Sequence, residues 1–346
     1  MQALFDGQEK GNEYGEYREA AGWTAEKYAA RITAVSQAVL QMIREGKSSE
    51  KTASGKSTVP DLIGFVEIEN AGVLEDLARG AISKHGYFWT AFTALPGSSL
   101  GLGVLSRYPL SGIRAHSITV GKETAPRPVL ELRVEPGGKP GMKPGKKPLV
   151  FLLCHWKSKL GGDIATEALR RSSARVVQRR LRELKETEAD TPVIVMGDLN
   201  ENHNEYYRHN GKMLCALLPD ESGAALLTAS LTASLKDHGA AEFLVLSGEK
   251  PPRARCFENV VALYSPWEGE MKGGSFYYKD EWETIDHFLL SDGLFNGEGW
   301  EYAGCEAVNH APFTGTSGKP NTYVPRSGRG LSDHLPLLLY LKNLPM

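Results

Sequence analysis

Residues 193–201 read Val193-Ile194-Val195-Met196-Gly197-Asp198-Leu199-Asn200-Glu201. The apolar run Thr191 to Met196 has the length of a buried strand, yet it runs straight into a glycine, an acid and an amide. A charge at a strand end ordinarily just faces solvent. Four further segments repeat the pattern: Gly64-Phe65-Val66-Glu67, Cys154-His155-Trp156-Lys157-Ser158, Thr284-Ile285-Asp286-His287 and Ser332-Asp333-His334-Leu335. Five such endings, each flanking a buried run, exceed chance. Asp198 and Asn200 stand two apart, so an extended strand points both to one side. A carboxylate beside a donating amide there would hold a water and a phosphate oxygen together. Asp333 and His334 are adjacent and would oppose each other on a strand, which places them on the loop entering a strand at 335–341.

Around these segments the pattern is mixed. Strands are expected at 61–68, 88–94, 100–106, 128–134, 149–155, 276–279, 284–291 and 335–341. Three helical stripes accompany them: one from Thr24 through Tyr28, Ile32, Val35, Val39, Met42 and Ile43, one through Val73, Leu74, Leu77, Ala81 and Ile82, and one over 165–186. Gly 37 and Pro 19 fill 56 of 346 positions, which suits many short strands better than a helical bundle. The expectation is an α/β (α+β) four-layer α/β/β/α sandwich, with two packed, mainly antiparallel sheets and outer helices. The length would allow two domains, but sheet folds of this kind use it for one, here 1–346. Residues 211–275 give no clear period.

Hydrophobic residues at 41% and charged residues at 24% exclude a disordered or fibrous chain. The net charge of −2 gives no global pull on a polyanion, so any such attraction must be local. Two segments are locally basic. Glu135 to Pro148 is a Gly/Pro-rich hairpin loop of charge +3, and the helix 165–186 carries +4 on a face with Arg170, Arg171, Arg175, Arg179, Arg180 and Arg182. Such a face is by default solvated. Apolar runs fall far short of a membrane span. Cys154, Cys215, Cys256 and Cys305 lie far apart with no CxxC, which reads as reduced structural thiols.

The segments together resemble the endonuclease/exonuclease/phosphatase superfamily, the deoxyribonuclease I-like fold, in its bacterial nuclease-like branch. The matching pieces are DLIGFVEIEN (61–70), GLGVLSRYP (101–109), RPVLELRV (127–134), HWKSK (155–159), VIVMGDLNE (193–201), TIDHFLLS (284–291) and LSDHLPL (331–337), in family order. The resemblance implies hydrolysis of phosphoesters with a divalent cation, Mg²⁺ or alternatively Mn²⁺, held by Glu67 and Asp333. It implies His334 as the catalytic histidine, Asp286 as the carboxylate that orients it, and Asn200 as a contact to a phosphate oxygen. Asp198 and His334 compete as general base, His155 is the acid on the leaving-group side, and Arg127 contacts phosphate. Trp156 fits a core or a substrate-stacking role equally, and His203, His209 and His287 carry none.

The expected substrate is nucleic acid, acted on by a monomer with no membrane role. Inositol phosphates or phospholipid headgroups are the alternative, because fold does not choose substrate. Inositol polyphosphate 5-phosphatases place aromatic residues around the GD-N block, whereas this chain has Met196 and Glu201 there. A non-catalytic binding module is the third reading, opposed by the retained Glu67, Asp198, Asn200, Asp286, Asp333 and His334. Family members open with a buried strand ending in an Asn-Val-(acid or Gln)-Asn-Leu-Phe-Asp block. Leu4-Phe5-Asp6 aligns with its end, so the expectation is a chain that lacks its first strand, with the Asn just before Met1. The chain as given has no signal peptide and reads as cytoplasmic; a secretion signal would have been lost with that segment, which leaves localisation open.

Overall fold

The computed structural model describes residues 3–43, 59–120, 123–124, 127–135, 148–220, 241–253 and 260–344. Strands dominate, as the turn-rich sequence requires. A three-stranded antiparallel sheet runs in the order Leu62–Ile68 (β1), Gly101–Ser106 (β3), Trp89–Thr93 (β2). An eight-stranded mixed sheet runs Leu217–Pro219 (β10), Leu244–Ser247 (β11), Ala262–Tyr264 (β12), Asp286–Leu290 (β15), Val193–Asp198 (β9), Leu149–His155 (β8), Val129–Val134 (β7), Leu110–His116 (β4). Three antiparallel pairs complete the set: Thr119–Val120 (β5) with Glu123–Thr124 (β6), Phe276–Tyr278 (β13) with Glu281–Glu283 (β14), and Trp300–Ala307 (β16) with Leu337–Asn343 (β17).

Side-chain alternation builds four layers. Along β8, Val150, Leu152 and Cys154 face helix α3 (Asp163–Thr187), meeting Val177, Leu181 and Leu184. Leu149, Phe151 and Leu153 point the other way, onto Val66, Leu102 and Val104 of the smaller sheet and Leu339 of β17. The opposite face of β1 and β17, with Ile63, Phe65, Leu338 and Tyr340, is covered by helices α1 (Ala25–Val39) and α2 (Ala71–Arg79). The fold is therefore the expected α/β/β/α sandwich. Among the described residues, β1 ladders with β3 and β17 ladders with β16. Between β1 and β17 lies an apolar cavity of about 540 Å³, lined by Phe65, Phe151 and Leu339, that reaches Asp198 and His334 at one end.

Most expected elements are present with shifted ends. Helix α1 is capped by the Thr24 side chain, which accepts from Lys27 N, and stops at Val39. Its last turn tightens, with Gln41 N donating to Ala38 O and Met42 N to Val39 O, so Met42 and Ile43 reach the core from a turn. Asn70 caps α2. Strand β15 begins at Asp286 rather than 284, because Thr284 N is drawn off to Asn202 Oδ1. The sequence pattern predicts neither β4 and β16 nor the short β5, β6 and β14. β4 is an exposed edge without apolar alternation, and β16 is interrupted by Gly304 at a register shift. The obscure region contributes the short strands β10 to β12, with 221–240 and 254–259 outside the described residues.

The basic helix face is largely used inside the protein, contrary to its default reading. Arg170 is fully buried, Arg180 pairs with buried Glu131, and Arg171 and Arg175 meet Glu242. The basic loop lies, apart from Glu135 and Pro148, outside the described residues; Val134 pairs with Leu149, so it does join a hairpin. Cys154, Cys215 and Cys305 are buried, and Cys256 lies outside the described residues. Among the described residues no helix is long and apolar enough to cross a membrane.

Candidate active site

Strand register assembles the centre of the site. In the eight-stranded sheet, His155 at the end of β8 and Asp286 at the start of β15 both pair with Asp198 at the end of β9. Three polar side chains thus stand in a row across three neighbouring strands. Gly197 makes this packing possible. It has φ +124°, and a Cβ there would lie 2.0 Å from the Cys154 carbonyl oxygen.

The chain turns immediately after Asp198, so Asp198 and Asn200 do not share one side of an extended strand. Asn200 adopts φ +51°, and the reversal lets its backbone N donate to Asp198 Oδ1 at 2.8 Å. Its side-chain Nδ2 donates to the Trp156 carbonyl at 3.2 Å. Arg127 Nη1 donates to the same carbonyl at 2.8 Å. One backbone oxygen therefore gathers the arginine and the amide beside the row. Trp156 itself is 1% exposed against α3, a core residue with no face for a substrate.

Glu67 reaches the site through a β-bulge. The register of β1 against β3 slips between Val66 and Ile68, and Glu67 takes φ +61°. The extra residue releases Glu67 from the two-sided alternation that buries its neighbours. Its Oε1 lies 4.0 Å from His155 Nε2, which is in turn 3.5 Å from Asp198 Oδ2. Asp333 and His334 precede β17 on a loop, as the adjacency argument requires. The His334 backbone N donates to Ser332 Oγ, and its ring Nδ1 meets Asp286 Oδ2 at 2.7 Å. The structure thus brings Glu67, His155, Asp198, Asp286 and His334 into one cluster, with Asn200 and Arg127 at its edge.

The electrostatics separate these groups. Burial and the charge of Asp286 push the Asp198 carboxyl up to about 7, against the pull of His334. Burial also raises Glu67; Asp333 adds to the rise and Arg127 opposes it. His155 is held well below its usual value by burial and by the charges of Arg127 and His334, so it is neutral. Burial alone would lower His334, but the Asp286 carboxylate outweighs it and lifts the imidazole to about 9. Asp286 moves oppositely, its carboxylate favoured by His334 in spite of burial.

A hard cation fits the carboxylates. Asp333 Oδ1 is buried with no hydrogen-bond partner among the described residues, and Glu67 feels the like charge of Asp333. Orphaned and mutually repelling oxygens are what a divalent ion satisfies. Asp198, Asp286 and His334 also offer ligand atoms within 4.8 Å of one another. There, however, His334 Nδ1 is already committed to Asp286, which makes those two a hydrogen-bonded pair rather than free ligands.

Other groups at this end were not singled out from the sequence. Tyr14, in the aperiodic N-terminal segment, interacts with both Arg127 and Glu67. Phe276 lies 4.6 Å, ring to ring, from His334. Tyr14 carried no sequence signal, and Phe276 only its place ten residues before Asp286. His203 and His287 are held by hydrogen bonds to Thr284 Oγ1 and the Glu201 carbonyl.

A family model described as "Endonuclease/Exonuclease/phosphatase family" matches residues 1–244. The chain belongs to the endonuclease/exonuclease/phosphatase family. Members of this family are hydrolases acting on phosphoester bonds, generally with divalent metals. Similar solved structures include truncated Caenorhabditis elegans TDP2, at 12% identity over 91% of this chain and 92% of that one, TM-score 0.49. The human Nocturnin catalytic domain with bound sulfate anion is 15% identical over 82% and 80%, TM-score 0.43. An endonuclease/exonuclease/phosphatase from Bacteroides vulgatus is 14% identical over 91% of each chain, TM-score 0.45. No curated protein matches.

Proposed function

We propose that this endonuclease/exonuclease/phosphatase-family chain is a metal-dependent phosphodiester hydrolase that cleaves nucleic acid. The observation that carries the reading is the Asp286–His334 pair, 2.7 Å apart and within 4.8 Å of an Asp198 oxygen. With Nδ1 bound to Asp286, His334 has its other ring nitrogen for a phosphate oxygen, as an oriented imidazolium. Asp198, pressed between Asp286 and His155, accepts the proton of the attacking water. Asn200 and Arg127, gathered by the Trp156 carbonyl, bind the phosphate oxygens on which charge develops. His155 is neutral in the free protein; a negative phosphate entering beside it raises its affinity for a proton, which it then passes to the leaving oxygen. A divalent ion held by Glu67 and Asp333, with Mg²⁺ suited to such oxygen donors, would supply charge neutralisation at the phosphate and a more acidic water.

A substrate panel tests the reading. The protein is incubated with Mg²⁺ or Mn²⁺ and plasmid, single-stranded DNA, RNA, bis-p-nitrophenyl phosphate and inositol phosphates. Cleavage of a nucleic acid, abolished by chelation, is expected. Release of inorganic phosphate from monoesters with all nucleic acids intact would overturn it, and silence on every substrate would leave only a binding module.

A further inference from the structure

The hairpin β13–β14 stands over the His334 side of the cleft, and the site described above does not use its side chains. It is fastened to that site through Ser275. Its carbonyl accepts from Leu335 N at 2.7 Å, and its hydroxyl accepts from Asp286 N at 3.3 Å. Strand alternation then divides its aromatic residues. Tyr277 turns to one side, 5.3 Å from Trp282 and under the Lys319 ammonium at 4.0 Å. Phe276 and Tyr278 share the other. The Phe276 ring lies 4.6 Å from His334, and the Tyr278 ring stacks on Phe276 with centroids 6.0 Å apart and planes nearly parallel at 17°. A row of rings therefore leads outward from the imidazole and ends at Tyr278, which is 51% exposed.

The tip of the hairpin adds a charge. Lys279 and Asp280 occupy a tight turn with φ +46° and +64°, which holds Lys279 beside the last ring, its Nζ 5.2 Å from the Tyr278 centroid. A flat, half-exposed π-surface with an exposed ammonium, set in line with the histidine proposed to bind phosphate, matches the repeat of a nucleotide chain: phosphate, base, next phosphate. A base within a duplex has both faces covered by its neighbours, so a ring platform takes only an unstacked one.

We propose that Tyr278, backed by Phe276, is a stacking platform for the nucleobase adjoining the scissile phosphate, with Lys279 meeting the next phosphate, so that the substrate class is single-stranded or locally unpaired nucleic acid. The inference rests on the nuclease reading of the same site and narrows it. Lys279, which covers the ring in the free protein, yields that face to the base and swings to the backbone.

The test compares Tyr278→Ala, Tyr278→Trp and wild type on a single-stranded oligonucleotide and on the same oligonucleotide with abasic sites flanking the cleaved phosphate. On the base-bearing strand, Tyr278→Ala is expected to lower kcat/KM about 5- to 100-fold, the range for loss of one stacked base, and Tyr278→Trp to retain it. On the abasic strand the three proteins should cleave alike. An equal loss on both strands would mean the hairpin is merely structural, and no loss on either would dismiss the platform. Fluorescence anisotropy of the labelled base-bearing strand, in chelator, separates this inference from its parent. Binding weakened by Tyr278→Ala without any turnover would sink the nuclease reading alone, whereas turnover indifferent to Tyr278 would sink the platform alone. A wild type that neither binds nor cleaves would end both.

Discussion

Two clusters of buried charge flank the turn after β9, and they are built on opposite principles. On the α3 side, Arg170 is fully buried between Glu167 and Glu201. Its donors reach both carboxylates, the Thr166 hydroxyl and the Asp163 and Lys157 carbonyls. The remaining carboxylate oxygens accept from Ala216 N and Leu217 N. Lys159 closes on Glu205 at 2.6 Å a little further out. On the other side, Glu67 feels the like charge of Asp333 and Asp198 that of Glu67, His155 stands 3.5 Å from Asp198 and 4.0 Å from Glu67, and Asp333 Oδ1 has no partner among the described residues. Burial of charge is common to both, so burial alone does not mark a site. The difference is satisfaction: one cluster is closed by its own protein, and the other is completed only by something that enters.

The largest effect should come from the open cluster. Asp198→Asn and His334→Ala are each expected to lower turnover about 10²- to 10⁴-fold, the usual scale for a lost proton-transfer or transition-state contact, with an unchanged circular dichroism spectrum. More than about a tenth of wild-type activity in both variants would refute the assignment. The closed cluster should answer the other way. Arg170→Met leaves two carboxylates buried without their cation, and urea unfolding should register a loss of about 3–5 kcal/mol. A stable Arg170→Met protein would mean that the network is ornamental and that the contrast fails.

The sequence made the open cluster visible and hid the closed one. Glu67, His155, Asp198, Asp286 and His334 each flank an apolar run, and strand register then sets three of them side by side. Charge alone groups Arg170 with a solvated face, although it stands four residues before Ala174 and seven before Val177, on the stripe that α3 buries. Its partner Glu201 is 31 residues away, and nothing local announces the pairing. The same limit hid Phe276 and Tyr14, whose roles depend on where a hairpin and an aperiodic segment are laid against distant residues. Backbone reversals escaped too. Periodicity presumes regular strands, and the left-handed conformations of Glu67 and Asn200 break that presumption where the site needs it broken.

Glu67→Gln tests whether the open cluster is completed by a cation. The amide keeps the shape but loses the charge that holds a hard ion. The metal concentration for half-maximal activity should rise about 10- to 100-fold, as when a metal site loses a supporting partner, and high Mn²⁺ should restore part of the rate. An unchanged metal titration would remove Glu67 from the ligand set.

The smallest effect, and the sharpest in sign, is the pH dependence of stability in chelator. Burial would raise the Glu205 carboxyl, but Lys159 and Asn202 override it and hold the group at about 2. Its folded value lies below its ordinary 4.5, so the stabilisation is full above about 4.5 and drains away as pH falls toward 2. Glu205→Gln should therefore be about 1–3 kcal/mol less stable than wild type at pH 7, with the gap closing in acid. Asp198 runs in the opposite sense. Its folded value, raised to about 7 from 3.8 by burial and by Asp286, penalises the folded state progressively as pH climbs between those values. Asp198→Asn should then be as stable as wild type near pH 4 and more stable at pH 8. If instead both substitutions destabilise at pH 8 and converge with wild type in acid, Asp198 belongs with the closed network and is no longer distinguished from a structural carboxylate.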